Sequence, residues 1–179
     1  TASGKSAVAM EVAKQLQAEI ISVDSMQVYR GLDIGTAKPS AAEQAGIPHH
    51  LIDCAGLEET YDAARFVREA TEAERQIERP IFCGGTGLYF QAWLEGLGET
   101  PQADLVVRAS IEAKRHEDQL AELKAADPAT FERIDQQNPR RVVRALEVIR
   151  LTGKPFSEQR AEWQNTVAAN FFLIERERD

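Results

Sequence analysis

The chain has 179 residues, 43% of them apolar, a formal net charge of -8 and only two cysteines. A chain of this size buries about 70% of the surface its unfolded form exposes, enough for one main core. The acidic balance excludes a protein that holds nucleic acid through bulk charge, so a polyanion would have to meet a local basic patch. No run reaches the roughly 18 apolar residues of a membrane span, and the start lacks the basic-then-apolar order of a signal peptide. A soluble, cytoplasmic protein with no membrane partner is expected. Cys54 and Cys83 sit in or beside apolar strand-like runs without metal-ligand spacing, and read as buried thiols of a reducing compartment.

Taken in order, the chain alternates helix and strand patterns. Residues 4–17 carry Val8, Val12, Ala13 and Leu16 at helical spacing, so Gly4-Lys5-Ser6 opens a helix whose positive end faces any anion held there. Ile20-Ile21-Ser22-Val23 is a short buried strand, and Asp24 lies just past its carboxyl end, where open parallel sheets place their ligands. After a polar, Gly-rich connection over 30–39, Ser40 is expected to cap a short helix through Ala45. Pro48-His49-His50 then leads into a strand-like Leu51-Ile52-Asp53-Cys54. Residues 61–78 predict a charged amphipathic helix. Pro80-Ile81-Phe82-Cys83 predicts a third buried strand, and Gly84-Gly85-Thr86-Gly87 the turn into a helix over 88–97. From 100 to 134 the strand signal disappears, and 104–115, 117–126 and 128–134 read as short helices. Asn138 caps a further helix with Pro139 at its first position, running through Arg150 and ending near Gly153. Residues 168–174 are a last strand candidate, and the chain shows no internal repeat.

The expected fold is therefore α/β: a P-loop NTPase-like parallel sheet flanked by helices, with a small helical insertion. Residues 1–99 and 135–179 would form the catalytic body and 100–134 the insertion.

Thr1-Ala2-Ser3-Gly4-Lys5-Ser6 matches the second half of a phosphate-binding loop, G-x4-G-K-[ST], and predicts a preceding glycine and buried strand ahead of Thr1. Gly4 lets the backbone approach an anion, Lys5 neutralises one of its oxygens, and the Ser6 hydroxyl can hold Mg2+ or an oxygen. The plain alternative is a small-residue helix start. Asp24 suits a metal ligand, a general base or simply the polar end of a strand. The glycines at 84, 85 and 87 supply either φ > 0 and close packing in a turn, or bare backbone for a ligand with the Thr86 hydroxyl as donor. Arg140 and Arg144 share a helix face, with Arg141 beside them. They are either solvated or phosphate contacts; cations near a helix start are disfavoured by its dipole, a cost that a phosphate-rich partner would offset.

One run is far more specific than these motifs. Asp24-Ser25-Met26-Gln27-Val28-Tyr29-Arg30-Gly31-Leu32-Asp33-Ile34-Gly35-Thr36-Ala37-Lys38-Pro39 resembles, almost position by position, the signature of tRNA dimethylallyltransferases. Further matches follow in order at Thr1 to Ser6, Ile47-Pro48-His49-His50-Leu51-Ile52-Asp53, Gly84-Gly85-Thr86-Gly87-Leu88-Tyr89-Phe90 and Asn138-Pro139-Arg140-Arg141-Val142-Val143-Arg144-Ala145-Leu146-Glu147. The resemblance covers essentially the whole chain.

It implies an enzyme that moves a dimethylallyl group from its diphosphate to N6 of the adenosine just 3′ of the tRNA anticodon. Thr1, Ala2, Ser3, Gly4, Lys5 and Ser6 would cradle the donor diphosphate, with Mg2+ at Ser6; Asp24, Lys5 and Ser6 would be catalytic. By the same carry-over Asp24, Ser25, Met26, Gln27, Thr86, Arg108, Arg140, Arg141, Val142, Val143 and Arg144 fall on tRNA-contacting positions. The helical insertion would clamp the anticodon stem-loop, and a monomer is expected. The family chain continues past a point like Asp179, and the stretches at Glu78-Arg79-Pro80 and Lys114-Arg115 are shorter than its pattern. Alternative readings are an adenylate isopentenyltransferase acting on free nucleotide, a small-molecule kinase using ATP in the loop, and a P-loop protein that only binds RNA.

Overall fold

The computed structural model describes residues 4–98, 100–159 and 170–174. They divide into two compact units, residues 4–96 with 170–174, and residues 97–159.

The first unit is an α/β layer structure. Helix α1 (Lys5–Leu16) leads into strand β1 (Glu19–Val23), α2 (Ala41–Gly46), β2 (His49–His50), α3 (Ala63–Gln76), β3 (Pro80–Gly84) and α4 (Gly87–Glu95). The three strands are parallel in the order β2-β1-β3. Register runs from Glu19 against Pro80 to Val23 against Gly84, and pairs Ile20 with His49 on the other side. Strand side chains alternate between faces. Ile21 and Val23 accordingly join a core with Val28, Phe66, Ala70 and Tyr89, where Phe66 stacks on Tyr89 at 4.6 Å. Ile20 packs with Ala9 and Ala13 of α1 on the opposite face.

Three expectations change here. The buried face of α1 is Ala9 and Ala13, while Val8, Val12 and Leu16 are exposed; alanine lets the helix lie close to the sheet, which the branched residues would prevent. The second strand is His49–His50, not residues 51–54, because Leu51 (φ 59°) and Asp53 (φ 54°) adopt left-handed backbone that ends extended pairing. Pairing returns only as a bridge between Tyr29 and Ala55. Residues 170–174 form no strand, though Phe171 packs edge-on to Phe90 at 5.9 Å; 168 and 169 lie outside the described residues. The Ser40 cap is present as a reciprocal capping box with Glu43.

The second unit is helical: α5 (Leu105–Glu112), α6 (His116–Ala126), α7 (Pro128–Arg133), α8 (Pro139–Thr152) and a short 3-10 turn (Phe156–Glu158). Ile111, Leu123, Val142, Val143, Ala145 and Leu146 make its core. Helix α8 is thus the central element of this unit, where sequence pattern grouped it with the sheet; its six buried positions need neighbours on more than one side. Asn138 occupies the N-cap position of α8 but makes no side-chain capping bond.

Candidate active site

Asp24 follows directly on β1. Its Oδ1 accepts the backbone N–H groups of Met26 (2.9 Å) and Gln27 (3.3 Å), so the carboxylate is fixed by the turn it begins. Among the described residues its second oxygen takes no hydrogen bond. Ser25 N–H donates to the Thr86 hydroxyl oxygen (3.0 Å), and that hydroxyl lies 3.4 Å from Ser25 Oγ. Residues 61 positions apart thereby meet at the carboxyl ends of adjacent strands.

Gly84 permits that meeting. A Cβ there would stand 2.0 Å from the Val23 carbonyl oxygen, the same oxygen that accepts Gly85 N–H and Thr86 N–H, each at 3.1 Å. Gly84, Gly85 and Gly87 all lack positive φ, so the requirement is close approach of two strands rather than a left-handed turn. Nothing lies within 4 Å of the position a Cβ would take at Gly85 or Gly87.

On the phosphate-loop side, Gly4 has φ 83° and Lys5 starts α1. Thr1, Ala2 and Ser3 lie outside the described residues. Burial pushes the Cys83 thiol up, partly offset by the Lys5 charge. Ser6, Met10, Ser22, Gln27, Lys38 and Cys83 line part of a cavity of about 200 Å³. Ser6 and Gln27, assigned from sequence to donor and acceptor, therefore border one space. Among the described residues no group of three or more His, Cys, Asp or Glu could hold a metal. The exposed Ser6 hydroxyl is a hard oxygen ligand, suited to a Mg2+ that keeps waters and takes its other ligands from phosphates.

The Gln27 amide is turned inward. Its Oε1 accepts from Ser22 Oγ (2.8 Å), and its Nε2 donates to the carbonyls of Thr36 (3.0 Å) and Ala37 (3.1 Å). Lys38 and Asp53, to which sequence reading gave no role, complete this loop through a 2.6 Å ion pair. The available signal was a lysine beside Pro39, with aspartates nearby in two separate stretches.

The helical unit sorts the basic residues. Arg140 and Arg141 are exposed. Arg144 and Arg108 both bind the fully buried Glu147, at 2.7 and 2.9 Å, and Arg144 also donates to the Pro101 carbonyl (2.6 Å). Burial alone would raise the Glu147 carboxyl, but hydrogen bonds from Arg144, Arg108 and the Asp104 N–H hold it below the ordinary glutamate value. Val142 and Val143 point into the core, so their side chains do not offer the RNA contact expected from sequence.

A parallel sheet, a phosphate-loop helix start and a carboxylate at the end of the neighbouring strand define a P-loop NTPase-like α/β protein. Residues 27–179 match the model of the IPP transferase family. A tRNA dimethylallyltransferase of Hydrogenovibrio crunogenus is 45% identical over 97% of this chain and 56% of its own length. One from Stenotrophomonas maltophilia is 50% identical over 92% of the chain and 53% of its own. Among solved structures, a tRNA isopentenylpyrophosphate transferase from Bacillus halodurans is 42% identical with a TM-score of 0.54, covering 87% of this chain and 55% of that one. A eukaryotic dimethylallyltransferase, solved acting on tRNA, is 30% identical with a TM-score of 0.71, covering 91% and 44%. The chain belongs to the IPP transferase family, and it spans about half the length of the curated relatives it matches.

Proposed function

We propose that the intact protein transfers a dimethylallyl group from dimethylallyl diphosphate to N6 of the adenosine 3′-adjacent to a tRNA anticodon, releasing diphosphate. The observation that carries this reading is the fixed Asp24 carboxylate beside Ser25 and Thr86, at strand ends next to the phosphate-loop helix. The N6 lone pair attacks C1 of the donor while the C–O bond to diphosphate breaks, and the leaving group takes that electron pair. Asp24, with Oδ1 held by its own turn, accepts the N6 proton through its other oxygen. Gly4, Lys5 and Ser6, with Thr1, Ala2 and Ser3 before them, receive the diphosphate at a helix N-terminus. Bound Mg2+ would supply charge neutralisation of that leaving group, with Ser6 as its protein ligand.

An adenosine must leave the anticodon-loop stack to reach Asp24, and Ser25, Met26 and Thr86 lie where it would arrive. Arg140 and Arg141, both exposed, can meet phosphates, and the helical unit would clamp the stem-loop. Gln27, Arg108 and Arg144 act in this reading by shaping those surfaces. Such an acceptor implies a cytoplasmic enzyme, with a monomer sufficient for the site.

Incubating the intact protein with dimethylallyl diphosphate and unmodified tRNA should give modified tRNA. Product on AMP alone would favour the free-nucleotide alternative, and ATP-dependent phosphorylation of a small molecule the kinase. Asp24→Asn should lower kcat by about 10²- to 10⁴-fold with donor binding kept; unchanged turnover would remove Asp24 as the base.

A further inference from the structure

We propose that Lys38 is a positioning residue of the acceptor half of the site, its buried ammonium closing the ring of contacts that aims the Asp24 carboxylate. This rests on the role given to Asp24 above.

The Lys38 side chain is only 4% exposed. Its Nζ donates to the Tyr29 carbonyl (2.9 Å) and Asp33 Oδ1 (2.7 Å) of its own loop and to Asp53 Oδ1 (2.6 Å) of a second stretch, which uses all three ammonium protons. Taking an ammonium out of water is costly, and an apolar side chain of similar size would fill the space without that cost. Net stability is therefore a weak reason for a lysine here; three fixed directions are a better one.

Those directions lead to Asp24. Asp53 N–H donates to the Gln27 carbonyl (3.1 Å), and Gln27 N–H donates to Asp24 Oδ1 (3.3 Å). The Gln27 amide in turn holds the carbonyls of Thr36 and Ala37, immediately before Lys38. The contacts run from 27 to 36 and 37, along the chain to 38, across to 53 and back to 27. Ala37 (φ 50°) and Asp53 (φ 54°) hold left-handed backbone that a side chain disfavours, so the ring keeps two residues where the free chain would not leave them. Without the ammonium, Asp53 loses its closest partner and the turn presenting Asp24 loses its brace.

A lysine that merely stabilises the fold would affect every property of the site; one that acts through Asp24 would not. In the intact protein, Lys38→Met should lower kcat by about 10²-fold, the size of effect a displacement near 1 Å can produce. The KM for the donor should stay within roughly twofold. Single-turnover transfer, read by mass spectrometry of the tRNA, should show Lys38→Met costing less than about threefold when Asp24 is already Asn, because residues of one hydrogen-bond network that act as a unit are not additive. Equal losses on both backgrounds, or a donor KM that rises in step with the fall in kcat, would overturn the proposal. If Lys38→Met does not fold, as judged by circular dichroism, the same cycle is run with Asp53→Asn, which leaves Lys38 paired with Asp33. A smaller loss, again absent on the Asp24→Asn background, is expected, and an additive one would overturn it. Wild-type protein that modifies no tRNA overturns both readings, whereas wild-type transfer sensitive to Asp24 and indifferent to Lys38 overturns this one alone.

Discussion

In the α/β unit the buried organising charge is a cation, and in the helical unit it is an anion. Lys38 gathers a backbone carbonyl and two aspartates from loops that have no repeating hydrogen-bond ladder of their own. Glu147 gathers Arg108 of α5, Arg144 of α8 and the Asp104 N–H that opens α5, elements whose backbones are already satisfied by helix. The first charge decides where a loop stands; the second decides how firmly two helices are held. Loss of the first should be read in catalysis and loss of the second in stability.

The harshest way to break the α/β side lies next to its loop. Gly84→Ala puts a methyl group against the Val23 backbone, which has no flexible end to yield. A loss of about 4–5 kcal/mol, or no folded protein at all, is expected in urea unfolding; a fall below about 1 kcal/mol would show that β1 and β3 can separate there at little cost. In the helical unit, Glu147→Ala leaves two arginines without their buried partner, and about 3 kcal/mol should be lost. The same carboxylate sets an acid limit. Its folded value lies below the ordinary 4.5, as does that of buried Asp127 relative to 3.8, where hydrogen bonds from Thr130 and Ser157 outweigh the upward push of burial. Each contributes stability that is present above its ordinary value and lost as pH falls through the depressed one. Wild-type stability should therefore drop below about pH 4, less steeply in Glu147→Gln, and parallel acid profiles would count against this account. Smallest in stability is Arg141→Ala, an exposed site where a change within about 0.5 kcal/mol is expected. Its effect belongs to RNA: the salt dependence of tRNA binding should flatten by roughly one unit of slope, and an unaltered slope would return Arg141 to the solvated face.

Much of the architecture was legible because local rules and tertiary demands agree. The Ile20 to Val23 run pairs as expected, Ser40 makes its capping box, and Pro139 starts α8. Where they disagree, a long-range contact is responsible. Leu51 to Cys54 carries a strand's composition, yet Asp53 is drawn out of the sheet by Lys38, Arg30 and Gln27. Val8, Val12 and Leu16 carry the helical period, yet the close approach of α1 to the sheet selects alanines. The candidate site shows the same division: Asp24 and Thr86 were nameable from their motifs, but their joining through Ser25 was not.

By itself the sequence determined the alternation of helix and strand, the phosphate-loop helix start, the carboxylate past the first strand and the family signature, since each is written in neighbouring residues. Only the tertiary structure decided which arginines are spent on Glu147, that Val142 and Val143 are core, and that Lys38 braces Asp24 through Asp53 and Gln27. Those outcomes depend on distances between residues far apart in the chain, and burial converts such distances into obligations that polar groups must meet.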